Sequence, residues 1–385
     1  DALLGTGFEG EPRGAIADAI AAINDHDAPV IAADVPSGVD ASTGEVHGVA
    51  VRASATATFH AAKPGLWIHP GKAHAGEVRV IEIGIPPGAP VPARIGLVGA
   101  GAGAAIPSRG PASTKFSEGA VLLVGGSRGL TGAPSMAAES AVRVGAGYVT
   151  ACVPASLNLI FELRLLEAMT VPLPDEDGAL SIGGADEVVH RSQRAQAVVL
   201  GPGIGRTEGT VALARDLAAR LERPLLLDAD GLNAHAGRLD ALARRLSPTV
   251  LTPHAGELGR LLEIDSASVE AARLAHVRRA ADSSGAVVVL KGDDTLVAEP
   301  DGLVGVSRGA SPALATAGTG DVLSGVTGAL LAKGLHPFDA ACAAVHLHAR
   351  AGQIAAERLG PDAVVAGDVI AALPAARREA RERGG

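Results

Sequence analysis

The chain carries Ala317-Gly318-Thr319-Gly320-Asp321 directly ahead of an apolar, helix-like run. Glycines let consecutive backbone N–H groups crowd around one point, and a helix opening there adds the positive end of its dipole. Ala317, Gly318, Thr319 and Gly320 thus make a cradle for an anion, suited to a phosphoryl group in transfer. A carboxylate in the first turn, Asp321, faces the same point and can take a proton from an attacking hydroxyl. The same residues also make an ordinary capped helix start, since Thr, Gly and Asp are favoured there. This motif alone leaves the two readings balanced.

Other segments tip the balance. Lys291-Gly292-Asp293-Asp294-Thr295 follows the apolar run 287–290, where a lysine and a glycine can meet a nucleotide's phosphate or ribose. Gly201-Pro202-Gly203-Ile204-Gly205 follows another apolar run and admits a ligand close to backbone. Asp228 and Asp230 end a third run, Thr252-Pro253-His254-Ala255-Gly256-Glu257 a fourth, and Gly125-Gly126-Ser127, with Gly132-Ala133 beyond, a fifth. Each of these is also a common turn. In open α/β sheets, however, ligands lie at the carboxyl ends of strands, and so many small, polar or charged strand ends point to a site.

The elements that must position these residues are legible from 113 onward. Strand-like runs at 120–124, 148–153, 197–200, 224–228, 249–252 and 286–290 alternate with helical stretches at 133–144, 208–221, 255–262 and 266–283. That alternation predicts a mostly parallel sheet covered on both faces. Three successive helices are expected over 319–332, 337–357 and 367–382. Upstream, Pro12 opens an expected helix over 12–24, residues 30–34 read as a buried parallel strand ending in Asp34, and 49–59 and 78–83 as further strands. The proline cluster 86–92 is a stiff connector. It gives domains at 1–95 and 113–385, joined by a linker over 96–112 that holds one short strand.

Composition bounds the function. The 385 residues are 47% hydrophobic, enough for a sizeable core, and the net charge of −9 gives no footprint for nucleic acid. Aromatics are only 2%, which leaves little to stack on bases. No signal peptide and no membrane-length apolar run is seen. Cys152 and Cys342 lie in apolar segments and read as buried small hydrophobes in a reducing cytoplasm. The chain opens on Asp1, as if at the end of a strand, which suggests that upstream sequence is missing.

Taken in order, the motifs at 125–127, 201–203, 228–233, 252–257, 291–292 and 317–325 resemble the ADP/ATP-dependent NAD(P)H-hydrate dehydratases. The resemblance implies a ribokinase-like three-layer α/β/α fold. It also implies that Ala133, Gly203, His254 and Asp321 bind the hydrated dinucleotide, NADH-hydrate or NADPH-hydrate. Lys291, Gly292, Asp293, Asp294, Thr295 and Gly320 would bind ADP or ATP, with Mg²⁺ neutralising phosphate charge. Asp293 and Asp294 stand where that family more often has small residues. A kinase of a thiazole or hydroxymethylpyrimidine vitamin precursor would share the site up to Gly320 and Asp321.

Residues 1–95 resemble the C-terminal half of NAD(P)H-hydrate epimerase, through the motifs at 1–7, 34–40, 43–44 and 63–65. This implies a partial Rossmann-like α/β domain. Gly5, Thr6, Gly7, Phe8, Glu9, Gly10, Glu11 and Asp34 would bind the dinucleotide, and Asp1 and Ser37 would coordinate K⁺. Asp34 is the candidate for proton or hydroxyl handling at C6 of the nicotinamide ring. That family's glycine-rich Asn-Asn-Gly-Gly-Asp-Gly loop has no counterpart here, so dehydration is expected with little or no epimerisation. The fused segment favours cofactor repair over a vitamin kinase, which has no use for it. The resemblance also implies a cytoplasmic homo-oligomer, often a tetramer in that family, that leans towards ADP.

Overall fold

The structure, a computed structural model, describes residues 1–86, 88, 92–309 and 311–382. They divide into two compact units, Asp1–Gly96 with Asp265–Val277, and Leu97–Ile264 with Arg278–Gly385. Of the proline cluster, Pro87 and residues 89–91 lie outside the described residues.

The first unit contains helix α1 (Ala15–Asn24) and a parallel three-stranded sheet of β1 (Ile31–Ala33), β2 (Ala55–Phe59) and β3 (Glu77–Ile81), in that order. Ala33 pairs with Ala57, and Phe59 with Ile81. Helix α1 starts three residues after Pro12, because Gly14 has φ +55° and cannot lie in a right-handed helix. Strand β1 is an edge strand, so Ile31 is 65% exposed although Ala32 beside it is fully buried. A small apolar cluster of Val35, Ala41, Leu66 and Ala75 carries the loops that follow.

The second unit is built on a ten-stranded sheet. Its strands are β4 (Ile95–Val98), β5 (Ala120–Val124), β6 (Tyr148–Pro154), β7 (Met169–Leu173), β8 (Ala197–Leu200), β9 (Leu225–Leu227), β10 (Thr249–Leu251), β11 (Val287–Leu290), β12 (Leu296–Ala298) and β13 (Val304–Ser307). The spatial order is β4-β13-β12-β11-β10-β9-β8-β5-β6-β7. From β11 to β7 every pairing is parallel, while β12 pairs antiparallel with β11 and with β13. Every residue of β5, β8 and β11 is buried, so both faces are covered, as expected for a parallel sheet.

The core on one face gathers Val121, Leu123, Val199, Leu226 and Val289 under four helices. These are α2 (Gly132–Val144), α3 (Thr319–Ala332), α4 (Pro337–Leu359) and α5 (Ala366–Glu382). Helix α3 lies deepest, and glycines allow it to. A Cβ on Gly325 would overlap the Ala137 carbonyl oxygen of α2, and one on Gly328 would overlap Val199 of β8. No other residue type permits that approach.

Several features differ from the sequence expectation, among them β7, β12 and β13, which no expected strand covers. The run 266–283 is two helices, Ser266–Ala271 and Arg273–Ser284, parted at Ala272, whose ψ of 57° is not helical. The stretch 96–112, read as a connector, contains most of β4, an edge strand of the large sheet, and a short helix, Ala100–Ala104. Cys152 and Cys342 are buried free thiols, each pushed up to about 12 by burial, which fits inert packing.

Candidate active site

Strand register brings the chemistry together. Val124, Leu200, Leu227 and Leu251 are cross-strand neighbours, so Gly125, Gly201, Asp228 and Thr252 emerge side by side at the carboxyl edge. Lys291 emerges next, from β11.

Asp228 is the hub of this edge, with its side chain only 2% exposed. Its Oδ1 accepts from Thr252 Oγ1 at 2.9 Å and from Lys291 Nζ at 3.1 Å, and its Oδ2 accepts from Ser324 Oγ at 2.6 Å. Three donors satisfy a buried carboxylate that would otherwise be costly. Lys291 Nζ also lies 3.6 Å from Glu257 Oε2. Burial alone would lower the Lys291 ammonium; Asp228 and Glu257 outweigh it and hold it above its ordinary value.

Asp321 stands in the first turn of α3. Its carboxyl is pushed up to about 7, by burial first and then by the Asp228 charge, with Glu257 adding and Lys291 opposing. A carboxyl at that value exchanges a proton near neutrality, as a general base requires. The preceding Gly318 has φ +91°, and a Cβ there would lie 2.6 Å from Met136 Cε. Thr319 Oγ1 turns back onto the carbonyls of Leu314 and Thr316, at 2.8 and 3.0 Å, which fixes the loop. The opening amides of a helix have no intrahelical acceptor, and such a group of N–H donors is able to hold an anion.

A cavity of about 460 Å³ adjoins this helix start. Lys291, Gly292, Asp293, Thr295, Gly320 and His348 are on its wall; Asp294 is buried and is not. Thr295 Oγ1 donates to the Gly292 carbonyl at 2.7 Å and closes the turn. Burial pushes the His348 imidazole down to about 4, and the Thr319 carbonyl accepts its hydrogen bond. Its Nε2 is buried without a partner among the described residues.

His254 has the structural role its type allows. It is the N-cap of the helix Ala255–Leu262: Nδ1 accepts from Gly256 N at 3.0 Å, and Glu257 Oε2 accepts from His254 N at 2.9 Å. Burial holds the imidazole below its ordinary value against the pull of Glu257. The ring is therefore neutral at pH 7, with its proton on Nε2, the nitrogen not used by the cap. Gly203, with φ +64°, sits so close to Ala133 that a Cβ would come within 3.2 Å of its methyl.

In the first unit, Asp34 has φ +70°, an uncommon backbone for a non-glycine residue. Its Oδ1 accepts from Lys63 Nζ at 2.6 Å, Phe59 N at 3.0 Å and Thr58 Oγ1 at 3.1 Å. Burial raises this carboxyl, but the lysine and the amide outweigh it and hold it below the usual range. Asp1 and Ser37 meet: Oδ1 accepts from Ser37 Oγ at 2.6 Å and Oδ2 from Ser37 N at 2.8 Å. Residues 5–11 form an irregular, mostly exposed loop, and a Cβ on Gly5, Gly7 or Gly10 would meet nothing within 4 Å.

Sequence reasoning did not assign roles to Asp228, Glu257, Lys63 or His348. The first three stand inside the sequence motifs at 228–233, 252–257 and 63–65. His348 sits in an alanine-rich helix, and nothing in its neighbours marks it.

A parallel sheet, an amide-lined helix start and a near-neutral carboxylate beside a lysine define an α/β enzyme built to handle phosphate. The NAD(P)H-hydrate dehydratase family matches residues 121–375, and the YjeF-related protein N-terminus matches residues 1–65. The bifunctional NAD(P)H-hydrate repair enzyme of Salinibacter ruber is 43% identical over 401 residues, spanning 100% of this chain and 72% of that protein. Its Escherichia coli counterpart is 36% identical, over 97% of this chain and 70% of that one. An ADP/ATP-dependent NAD(P)H-hydrate dehydratase from Bacillus subtilis, crystallised with ATP and Mg²⁺, superposes with a TM-score of 0.63 at 27% identity, covering 72% of this chain and 96% of that one. A ribokinase-like superfamily protein from Enterococcus faecalis gives a TM-score of 0.64 at 25% identity, covering 74% and 96%. The chain belongs to the family of bifunctional NAD(P)H-hydrate repair enzymes. A vitamin-precursor kinase is not favoured, because these repair enzymes match the chain over nearly its whole length.

Proposed function

We propose that this chain dehydrates NAD(P)H-hydrate with ADP as phosphoryl donor and that Asp321 is the base. The observation that carries the reading is the near-neutral carboxyl of Asp321 in the first turn of α3, beside the ammonium of Lys291. Asp321 takes the proton of the C6 hydroxyl, and that oxygen attacks the terminal phosphorus of ADP, releasing AMP. The amides of 317–320 hold the transferring group. The ring nitrogen lone pair then expels phosphate from C6, and C5 gives up a proton to form the ring double bond of NAD(P)H.

Lys291 and the turn 292–295 hold the nucleotide, and neutral His348 accepts a hydrogen bond from it through Nε2. His254 presents Nε2–H to the hydrated dinucleotide near Gly203 and Ala133. Among the described residues, no group of three His, Cys, Asp or Glu could hold a metal. The cavity instead suits a Mg²⁺ carried in on the nucleotide's phosphates, where it supplies charge neutralisation.

In the first unit, Asp34, held ionised by Lys63, is assigned the hydroxyl or proton at C6, although without a counterpart of the epimerase family's glycine-rich loop little or no epimerisation is expected of this chain. The hard oxygens of Asp1 and Ser37 are of the type K⁺ takes, and the loop 5–11 leaves room for a dinucleotide. The decisive experiment is recovery of NADH absorbance from NADH-hydrate, with ADP and ATP run side by side. Free phosphate released in step with NADH is the expected result. A stable phosphorylated product without NADH would overturn the reading.

A further inference from the structure

A second cavity of about 420 Å³ lies in the same unit, between the C-terminal ends of α2 and α5. Five arginines line it: Arg109, Arg143, Arg377, Arg378 and Arg381. No aspartate or glutamate is on its wall, although the chain as a whole carries a net charge of −9. Five like charges around one space repel, so their gathering needs either a structural duty or an anion.

Two of the five have a structural duty. Arg377 donates to the carbonyls of Val144 and Pro107, and Arg109 donates to those of Gly145 and Ala146, which places cations at the negative end of α2. The acid nearest to Arg109, Glu118, lies 3.7 Å away and is itself held by Lys333 at 2.6 Å. Arg143, Arg378 and Arg381 make no ion pair among the described residues, so their charges are not accounted for within the fold. Ile106, Val142, Val144 and Pro374 add an apolar stretch of wall, beside Ser108 and two glycines.

From this we infer a second ligand site, distinct from the Asp321 site, that takes a small anion bearing two or more phosphoryl groups. The planar guanidinium fork matches phosphate oxygens in pairs, and anchored Arg109 and Arg377 preorganise the charged floor. Arg143, Arg378 and Arg381 close on the anion from the exposed side. The apolar wall leaves room for an organic portion beside the phosphates.

Titration calorimetry of the full chain with sodium pyrophosphate tests this. A saturable site is expected that survives Lys291→Ala. It should weaken about tenfold or more in the Arg378→Ser/Arg381→Ser double variant, the loss of two charge-assisted contacts. Dehydration of NADH-hydrate should be unchanged in that double variant. Exposed Arg143→Ser gives the same reading if the double variant folds poorly. Repeating the titration in Lys291→Ala with ADP separates the sources: tighter binding than pyrophosphate indicates a nucleotide, equal binding an inorganic anion. Pyrophosphate binding that is absent, is lost with Lys291→Ala, or is unchanged by removing the arginines would overturn the inference.

Discussion

Lys291 Nζ lies 3.1 Å from Asp228 Oδ1, bridging the ends of β11 and β9 across the intervening β10. The pair joins the turn 291–295 to the buried carboxylate that, after burial itself, does most to raise Asp321. Lys291→Met removes the cation and leaves Asp228 buried with only hydroxyl donors. Unfolding in urea should show a loss of about 3 kcal/mol, as for a buried pair broken on one side. Lys291 also pulls the Asp321 carboxyl down. Without it, the acidic limb of the kcat profile at saturating ADP should move to higher pH. An unmoved limb would separate Lys291 from the base.

Asp321 carries opposite consequences for rate and stability. Only its ionised form accepts a proton, so kcat should rise with pH and level off above about 7. In the unfolded chain the group ionises near its ordinary 3.8, and in the folded chain at about 7. Its stabilising contribution is therefore full below the unfolded value and is lost as pH rises through the folded one. Asp321→Asn should lower turnover by about two to four orders of magnitude while nucleotide still binds. The same variant should be more stable than the parent at pH 8, by about 1–3 kcal/mol, and little different at pH 4. Thermal melts at the two pH values check the sign.

The helix that carries Asp321 is placed by the glycines beneath it. Gly325→Ala puts a methyl against backbone of α2, which cannot swing aside as a side chain would. A loss of about 2–4 kcal/mol is expected from such overpacking, read as a lower melting temperature. Turnover should fall as well, because α3 must move away from α2 and carries Asp321 with it. Full activity in a destabilised Gly325→Ala would show that the site tolerates displacement of α3.

The sequence made the second unit's strand-end motifs legible because a parallel sheet separates its signals. Apolar runs such as 197–200 and 287–290 are bounded by Gly or Lys turns, and each turn is an edge residue of the site. The strands β12 and β13, next to the β4 edge, are not legible, since their short runs are surrounded by Asp, Gly and Glu. Asp228 looked like one of several strand-end acids. Its partners Ser324 and Lys291 lie 96 and 63 residues away, and only packing shows that they converge. The arginines of the second cavity are similarly hidden. Arg109, Arg143 and the three of α5 come from distant segments, and each alone reads as a solvated surface charge.

His254 allows capping to be separated from substrate contact, because its two ring nitrogens face different tasks. Nδ1 caps the helix Ala255–Leu262, and Nε2 is free of that duty. His254→Asn keeps an acceptor at the N-cap but removes the Nε2–H; His254→Ala removes both. Stability should hold in the Asn variant and fall by about 1 kcal/mol in the Ala variant. If Nε2–H meets the hydrated nicotinamide dinucleotide, KM for NADH-hydrate should rise by about tenfold in both. A rise confined to the Ala variant would leave His254 as a cap alone. An unchanged KM in both would remove it from the substrate site, with Gly203 and Ala133 left to line that side.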